Sequence, residues 1–205
     1  LYSAMEDFRL DILIGQGASA RTMQIDLAPF TLIGATTRSG LLSNPLRDRF
    51  TAHLNFDFYE PSMLAKIVQN NSLKMGMMLA GEAKMQIAQR SRGTPRIANR
   101  ILRRVRDYSL VHHANKVTSH EVEEALKMLD IDELGLDSMD RKILQVMKNY
   151  YQGGPVGIEA LSATLGEDKQ TIEEVYEPYL LKEGLLLRTP RGRVLSEKAL
   201  EHISD

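Results

Sequence analysis

The chain contains no cysteine among its 205 residues. This absence excludes disulfide bonds and cysteine-based zinc sites, and it is typical of proteins that work in a reducing compartment. No apolar run reaches the roughly 18 residues that a membrane-spanning helix needs, and the N-terminus shows no signal-peptide pattern. We therefore expect a cytoplasmic protein that does not enter a membrane.

Two motifs that hold a nucleoside triphosphate are also missing. The sequence has no G-x-x-x-x-G-K-[ST] phosphate loop and no acidic strand end of the kind that positions magnesium. The glycine-rich segment 15–20 has no lysine and lies between two alternating runs, so we interpret it as a turn and not as a phosphate loop. By itself, this chain is expected not to hydrolyse ATP.

The composition is that of an ordinary globular protein, with 43% apolar and 26% charged residues. A net charge of −1 gives the chain as a whole no attraction to nucleic acid. Positive charge is nevertheless concentrated in one stretch without acidic residues, which contains Arg90, Arg92, Arg96, Arg100, Arg103, Arg104 and Arg106. Several of these arginines share a side at helical spacing, so we expect most of them to be structural or at a subunit interface.

The first part of the chain, residues 1–58, has the pattern of the end of an α/β domain. Residues 9–14 and 21–27 alternate between apolar and polar, which predicts a β-hairpin. The apolar, β-branched run 30–35 predicts a buried parallel strand, and the alternating run 54–58 predicts a last strand.

Two further features of this part concern an exposed apolar residue and the extent of the domain. Leu13 lies near the hairpin tip on the otherwise polar face, where a singly exposed apolar residue and a contact for a partner are equally good interpretations. The chain begins in helical-looking sequence without the other strands that such a sheet requires. We therefore expect a fragment that starts within a domain.

The second part, residues 59–130, is predicted to be a small bundle of helices. Apolar residues recur at helical spacing in three segments, and Thr118 opens a fourth helix with a capping-box pattern that ends in Glu121. The predicted helices cover residues 62–75, 82–91, 95–113 and 118–129.

The third part, residues 131–205, is predicted to be a separate unit after an acidic linker that contains Gly135. Three predicted helices are followed by two short strands around a Thr-Pro-Arg-Gly turn, which is the order of elements in a winged helix. These elements cover residues 137–150, 158–165, 168–181, 185–187 and 193–195.

Polar side chains follow the predicted strand 30–35 in a pattern typical of phosphate chemistry. Thr36 and Thr37 lie at its carboxyl end, where open α/β sheets bind ligands. Arg49 follows Thr37 by twelve residues, behind a helix start with Pro45 in its first turn. A hydroxyl that orients water and an arginine that meets phosphate charge are two of the groups that phosphoryl transfer requires.

An ordered set of segments resembles the RuvB family, the AAA+ motors that drive branch migration of Holliday junctions in bacteria. No single segment is decisive, but the set spans the whole chain in order. The segments are Met5-Glu-Asp-Phe8, Gly34-Ala-Thr-Thr-Arg38, Pro45-Leu-Arg-Asp-Arg-Phe50, Arg92-Gly-Thr-Pro-Arg-Ile-Ala-Asn-Arg100 and Arg188-Thr-Pro-Arg-Gly-Arg193.

The resemblance implies three residues that act on the nucleotide. Thr37 would be sensor 1, although a strand-end threonine that bonds only to backbone is the alternative. Arg49 would be the arginine finger that reaches the neighbouring subunit's nucleotide, with Arg47 as its competitor. Arg96 would be sensor 2, at a helix N-terminus opened by Pro95 that suits anions.

Four further residues match positions beside the family's bound nucleotide: Glu6, Asp7, Phe8 and Tyr59. The two aromatic residues among them fit equally well as core residues.

The two short strands of the third part and the turn between them, residues 185–195, are its predicted wing. The wing would bind DNA through Arg188, Arg191 and Arg193, of which the family points to the first and the last. Arginines on a protruding turn can pair with phosphates without reading sequence, although a solvated charged turn is the alternative. The preceding helix carries three glutamates, Glu173, Glu174 and Glu177. That acidic helix is a poor match for a DNA groove, so we expect the wing to make the contact.

The resemblance thus implies an α/β tail of an AAA+ large domain, followed by an all-α small (lid) domain and a C-terminal winged-helix domain. It implies ATP as substrate, with Mg²⁺ ligands supplied from outside this chain, and a hexamer around duplex DNA. The implied partners are the Holliday junction, RuvA through the hairpin at 9–27 and RuvC in the complete resolvasome. A clamp-loader subunit and a winged-helix regulator without enzymatic activity are the alternatives.

Overall fold

The computed structural model describes residues 2–14, 21–113 and 116–204, so the predicted turn at 15–20 lies outside the described residues. The chain divides into two compact units, Leu1–Phe56 and Asp57–Asp205. Each unit is considered by itself below.

The first unit contains the predicted hairpin. After a short helix α1 (Tyr2–Glu6), strands β1 (Arg9–Ile14) and β2 (Arg21–Asp26) pair antiparallel, with Arg9 opposite Asp26. Apolar residues of the two strands lie opposite each other, as alternation with a period of two requires. The hairpin prediction is therefore confirmed for the described residues.

Two other strand predictions for this unit are wrong. The runs 30–35 and 54–58 belong to no ladder, and Ile33 and Phe56 are 88% and 90% exposed. A run with the composition of an inner strand becomes one only when a neighbouring strand satisfies its backbone groups. The second run ends at Phe58, beyond the first unit, and no strand among the described residues lies beside either run, so their side chains stay exposed.

Between those runs the chain forms a short 3₁₀ turn (Ser39–Leu41) and helix α2 (Asn44–Arg47). Ser43 occupies the N-cap position and Pro45 the first turn. The Ser43 hydroxyl bonds to the phenol of Tyr2 at 2.9 Å, so it does not cap the helix. Arg49 comes two residues after α2, so this turn of the chain sets the position of the Arg49 side chain.

The first half of the second unit is the helical bundle that the sequence predicts. Its apolar core includes Leu64, Ile87, Ile101 and Leu126, which are fully buried. Its described helices are α3 (Pro61–Lys74), α4 (Gly81–Gln89), α5 (Pro95–Val111) and α6 (Ser119–Met128).

The start of α6 has the predicted capping box. The hydroxyl of Thr118 accepts from the His120 N–H, and the Glu121 carboxylate accepts from the Thr118 N–H at 2.7 Å. The Thr118 hydroxyl also donates to the Glu121 carboxylate, and this bond together with that from the Thr118 N–H lowers the pKa of the Glu121 carboxyl below its usual range. Two backbone donors that the helix itself cannot satisfy are thus paired.

The second half of this unit has a separate core and the order of elements of a winged helix. Strands β3 (Leu186–Thr189) and β4 (Gly192–Leu195) pair antiparallel, with Arg188 opposite Arg193, and a bridge from Val156 to Arg193 adds a third chain segment. The described elements are α7 (Ser138–Tyr151), α8 (Ile158–Leu165), α9 (Lys169–Thr171), a π-helical stretch (Ile172–Tyr176), α10 (Glu177–Lys182), β3 (Leu186–Thr189), β4 (Gly192–Leu195) and α11 (Glu197–His202).

The third helix of the winged helix differs from its prediction as one uniform helix. It runs from α9 through the π-helical stretch into α10, where Pro178 lies in the first turn. Proline lacks the N–H that would bond to the carbonyl of Glu174, and its ring collides with that carbonyl. Widening the preceding turn relieves the collision, which accounts for the π-helical stretch.

Replacing Thr118 by alanine is expected to lower the free energy of unfolding by about 1 kcal/mol, because the first turn of α6 loses its cap. Chemical denaturation followed by far-UV circular dichroism measures the change. Thr118→Ser keeps the hydroxyl and is expected to retain most of the stability. Equal losses in both variants would contradict the role of the hydroxyl.

Candidate functional site

Arg49 is held by three contacts within the first unit. Its Nη1 donates to the Pro45 carbonyl at 2.7 Å, and its Nη2 lies 2.6 Å from the Glu6 carboxylate. The guanidinium also lies over the Tyr2 ring, 4.5 Å from its centroid. The side chain of Arg49 is 24% exposed, so part of its charge remains accessible to a ligand.

Glu6 therefore contacts a second predicted site residue, a pairing that the sequence did not indicate. Asp7 and Phe8 follow it in the turn between α1 and β1, and both are exposed. The Phe8 ring meets Phe30 edge to face, with centroids 5.9 Å apart. This aromatic contact favours a packing role for Phe8 within the first unit.

The two threonines that follow residue 35 are in different environments. The Thr36 hydroxyl accepts from the Arg38 N–H at 3.0 Å, and Thr37 is exposed. The local backbone bond that was the alternative interpretation of Thr37 is thus made by Thr36.

Arg96 lies in the first turn of α5 and is exposed. Thr94 occupies the N-cap position, but its hydroxyl donates to the Arg92 carbonyl and does not cap the helix. The start of a 17-residue helix with an exposed arginine is suited to an anion. Tyr59 lies beside the turn that precedes α5, since its N–H donates to the Gly93 carbonyl at 2.8 Å.

The wing arginines form an ion-pair cluster with the third helix of the winged helix. Arg193 Nε donates to Glu177 at 2.6 Å and its Nη2 to Glu173 at 2.7 Å. Arg188 lies across the ladder and contacts the same carboxylates, at 2.7 Å for Glu177 and 3.3 Å for Glu173. The hydrogen bond to Glu177 raises the pKa of Arg193 above its usual range.

Burial separates the roles of the wing arginines. The Arg193 and Glu177 side chains are 10% and 1% exposed, whereas that of Arg188 is 54% exposed. Arg191 at the tip is exposed, and its N–H donates to the Thr189 hydroxyl at 3.3 Å. Arg193 therefore holds the wing against the third helix, and Arg188 and Arg191 present charge to solvent.

The wing turn is fixed because its backbone at Gly192 passes very close to the backbone of Val156. Gly192 has a φ of +131°, and a Cβ atom there would lie 2.4 Å from the Val156 carbonyl oxygen. Only glycine fits this position without a backbone shift. The turn therefore projects Arg191 in one defined direction.

One buried arginine with a structural contact was not distinguished by sequence. Arg92 was grouped with the arginines between residues 90 and 106, but its guanidinium pairs with the buried Asp140 carboxylate of α7. Arg92 and Asp140 are 48 positions apart, and no rule of sequence spacing predicts a contact over that distance. The only sequence feature that distinguishes Arg92 from the other arginines is the non-helical Arg-Gly-Thr-Pro turn that it begins.

The described part of the chain contains neither a metal site nor a membrane-spanning helix. Residues 2–14, 21–113 and 116–204 bring together no group of three His, Cys, Asp or Glu side chains that could hold a metal ion. Of the helices within those ranges, none is both long enough and apolar enough for a bilayer crossing.

Models of known protein families match the chain in three consecutive segments. Residues 1–56 match the Holliday junction DNA helicase RuvB P-loop domain, and residues 59–132 match the RuvB AAA lid domain. Residues 133–204 match the RuvB C-terminal winged helix domain.

Curated proteins and solved structures give the same family. The Holliday junction branch migration complex subunit RuvB of Oleidesulfovibrio alaskensis is 54% identical over 204 residues, which are 100% of this chain and 64% of that protein. The same subunit of Kosmotoga olearia is 54% identical over 99% of this chain and 59% of that protein. The Thermotoga maritima RuvB Holliday junction branch migration motor is 48% identical, with a TM-score of 0.86 over 99% of this chain and 63% of that chain. The chain thus spans about 64% of the length of the first of these relatives.

Replacing Arg193 by methionine is expected to lower the free energy of unfolding of the winged helix by about 3–5 kcal/mol, because the buried Glu177 carboxylate loses its partner. Arg191→Met changes the same charge at the exposed tip and is expected to cost less than about 0.5 kcal/mol. Urea denaturation of both variants measures the difference. Equal stabilities would show that Arg193 does not hold the wing.

Proposed function

We propose, because this chain belongs to the RuvB family, that it is the sensing, lid and DNA-gripping part of an ATP-driven motor that moves Holliday junctions. The observation that carries the proposal is the order of the three RuvB domain matches along one chain. A clamp-loader subunit would share the AAA+ lid but not the RuvB winged helix after it. We propose boundaries after residues 58 and 130; the lid and the winged helix have separate cores, and the core of the lid extends to Ile131.

The nucleotide would be ATP with Mg²⁺, bound between subunits of a hexameric ring. The exposed Arg96 at the start of α5 fits a polyphosphate, since both the guanidinium and the helix N-terminus attract anions. Thr37 would polarise the attacking water or the γ-phosphate. A bound Mg²⁺ ion would neutralise charge on the phosphates, with ligands supplied from outside this chain.

Arg49 would act as the arginine finger on the neighbouring subunit's nucleotide. A γ-phosphate carries more negative charge than the Glu6 carboxylate that now holds the guanidinium, so it can displace that partner. Glu6 would then be a positioning residue that keeps Arg49 oriented between turnovers. We propose secondary roles near the nucleotide for Asp7, Phe8 and Tyr59 on family resemblance alone.

The wing would bind duplex DNA through its phosphates. Arg188 and Arg191 are exposed, and the carboxylates of Glu173 and Glu177 face the same wing. Carboxylates repel the DNA backbone, so the third helix is a poor reader of base edges. A motor that moves along any sequence needs contacts of this sequence-independent kind. Arg193 would orient the wing and make its own DNA contact only if it leaves Glu177.

The proposed partners follow from the same family. RuvA, which recognises the junction, would bind the hairpin at 9–27, where the Leu13 side chain is 73% exposed. RuvC would join the complete resolvasome. A protein that works on the bacterial chromosome acts in the cytoplasm, which is the compartment we propose.

In a ring-forming protein that contains this chain together with a phosphate loop, Arg49→Ala is expected to lower kcat for ATP hydrolysis by roughly 10³-fold or more. ATP affinity should stay within a few fold, because the finger serves the neighbouring subunit. Steady-state hydrolysis and equilibrium binding of a fluorescent ATP analogue measure the two effects. Arg47→Ala is the matched control and should keep most of the activity. Loss of ATP binding in the Arg49 variant would indicate a site in the same subunit.

Arg191→Ala in the 205-residue chain is expected to weaken duplex binding equally on unrelated sequences. The slope of log K against log salt concentration should fall by about 1, the change expected for one lost phosphate contact. Fluorescence anisotropy with two unrelated duplexes measures both quantities, and Lys127→Ala in the lid controls for the change in net charge. Affinities that differ strongly between the duplexes at matched salt would favour a sequence-specific winged-helix regulator.

A further inference from the structure

The junction between the lid and the winged helix contains a buried arginine that the proposed functions leave unused. Arg92 follows α4 with a φ of +55°, a conformation that non-glycine residues seldom adopt. Its Nε donates to the Gly135 carbonyl at 2.8 Å, and its Nη2 donates to the Asp140 carboxylate. Asp137, the N-cap of α7, lies 3.2 Å from the same Nη2. One guanidinium therefore contacts the linker and the first turn of the winged helix.

Aromatic and backbone contacts hold that guanidinium from its other sides. The Tyr179 ring lies 4.9 Å from it, and the Tyr179 hydroxyl donates to the Leu134 carbonyl at 2.7 Å. A Cβ atom on Gly135 would lie 2.9 Å from the Arg90 carbonyl oxygen. The linker therefore passes against the lid backbone at a distance that only glycine permits, and Arg92 has no room to change its rotamer freely.

The same turn begins the helix that carries Arg96. Thr94 N–H donates to the Ser91 carbonyl at 2.9 Å, and the Thr94 hydroxyl donates to the Arg92 carbonyl. A Cβ atom on Gly93 would lie 2.7 Å from Cβ of Phe58. Three residues separate Arg92 from Arg96, and this hydrogen-bonded turn leaves little freedom between them.

We propose that Arg92 is the positioning residue that fixes the orientation of the winged helix relative to the lid, by binding the linker and the first turn of α7 together. A displacement of the turn at Arg96 would then move the wing as well. This second consequence rests on the proposed function, whereas the fixed orientation itself does not.

The energetics of the contact fit a directional role better than a stabilising one. Asp140 is completely buried, and its Oδ1 has no hydrogen-bond partner among the described residues. Burial raises the pKa of the Asp140 carboxyl to about 6, against the lowering effect of the neighbouring Arg92. Desolvation thus offsets the attraction between the two charges, as is common for buried ion pairs. A planar fork of donors nevertheless allows only one relative orientation of its acceptors.

Residual dipolar couplings of the 205-residue chain test the proposal, because they report the relative orientation of the lid and the winged helix. In the unsubstituted chain, both are expected to fit one alignment tensor. In Arg92→Met, each is expected to keep its own amide chemical shifts away from the junction, while the common tensor is lost. Arg92→Lys keeps the charge without the fork and should lose the common tensor too.

Arg90→Met is the matched control, since Arg90 precedes the same turn but pairs with Glu123 within the lid at 3.2 Å. It is expected to keep the common tensor. If Arg92→Met does not fold because it leaves Asp140 as an unpaired buried charge, Arg92→Met with Asp140→Leu removes that charge and should fold without the common tensor. A common tensor in the folded Arg92 variants would overturn the proposal, and this result is independent of any ATPase or DNA-binding activity.

Discussion

Much of the second unit depends on how the protein buries the positive charge of Arg92. Moving a guanidinium and a carboxylate out of water costs several kcal/mol per ion, and their attraction recovers that cost only with good geometry and further hydrogen bonds. The raised pKa of Asp140 shows that the recovery is incomplete for the carboxylate. The native state holds the Asp140 proton more tightly than the unfolded chain does, so the contribution of this residue to stability falls as pH rises from about 4 to about 6. The effect of the Arg92–Asp140 pair is to hold the lid, the linker and α7 in a single arrangement.

The ion pair between the wing and the third helix also carries a cost of burial, but here residues at the surface complete its hydrogen bonds. Arg193 and Glu177 are almost fully buried, and Glu173 and Arg188 complete their hydrogen bonds at the surface. Because the cluster is open on one side, the charge of Arg188 is only partly neutralised and can still attract a phosphate. In the proposed function, the acidic helix that anchors the wing would also keep DNA away from itself. One pair of glutamates would thus stabilise the wing and direct DNA to it, as sequence-independent binding requires.

Local sequence rules predicted most elements, because most of them depend on local physics. The capping box at Thr118, the helical spacing from Leu64 to Val68 and the proline-glycine wing turn each involve residues close in sequence. One failure was local, since Pro178 produces a π-helical stretch where a uniform helix was predicted. The other failures occurred where the outcome depends on distant residues. The run 30–35 has the composition of an inner strand but no neighbour to pair with, and Arg92 finds its partner 48 positions away. The predicted DNA contact of Arg193 remains a prediction, and its burial against Glu177 argues for a positioning role that charge and spacing alone cannot reveal.

The arginines of this chain differ in whether they are paired with a carboxylate and in how deeply that ion pair is buried. This difference determines which of them can exchange a carboxylate for a phosphate, and therefore which roles each can have. Arg92 and Arg193 are buried with carboxylates in contact on fixed elements, so removing either partner would strand a buried charge. Such residues can orient domains, but they exchange partners only at high cost. Arg49 pairs with Glu6 and Arg188 pairs with Glu173 at the surface, where water lowers the cost of exchange and a phosphate with its higher charge can compete. Arg96 and Arg191 extend from a helix start and a turn tip into solvent, where an incoming anion meets them first. The proposed motor would change its contacts with nucleotide and DNA in every cycle, so it would need the exchangeable kind at its ligands and the fixed kind within and between its domains, which is the arrangement that these ion pairs would provide.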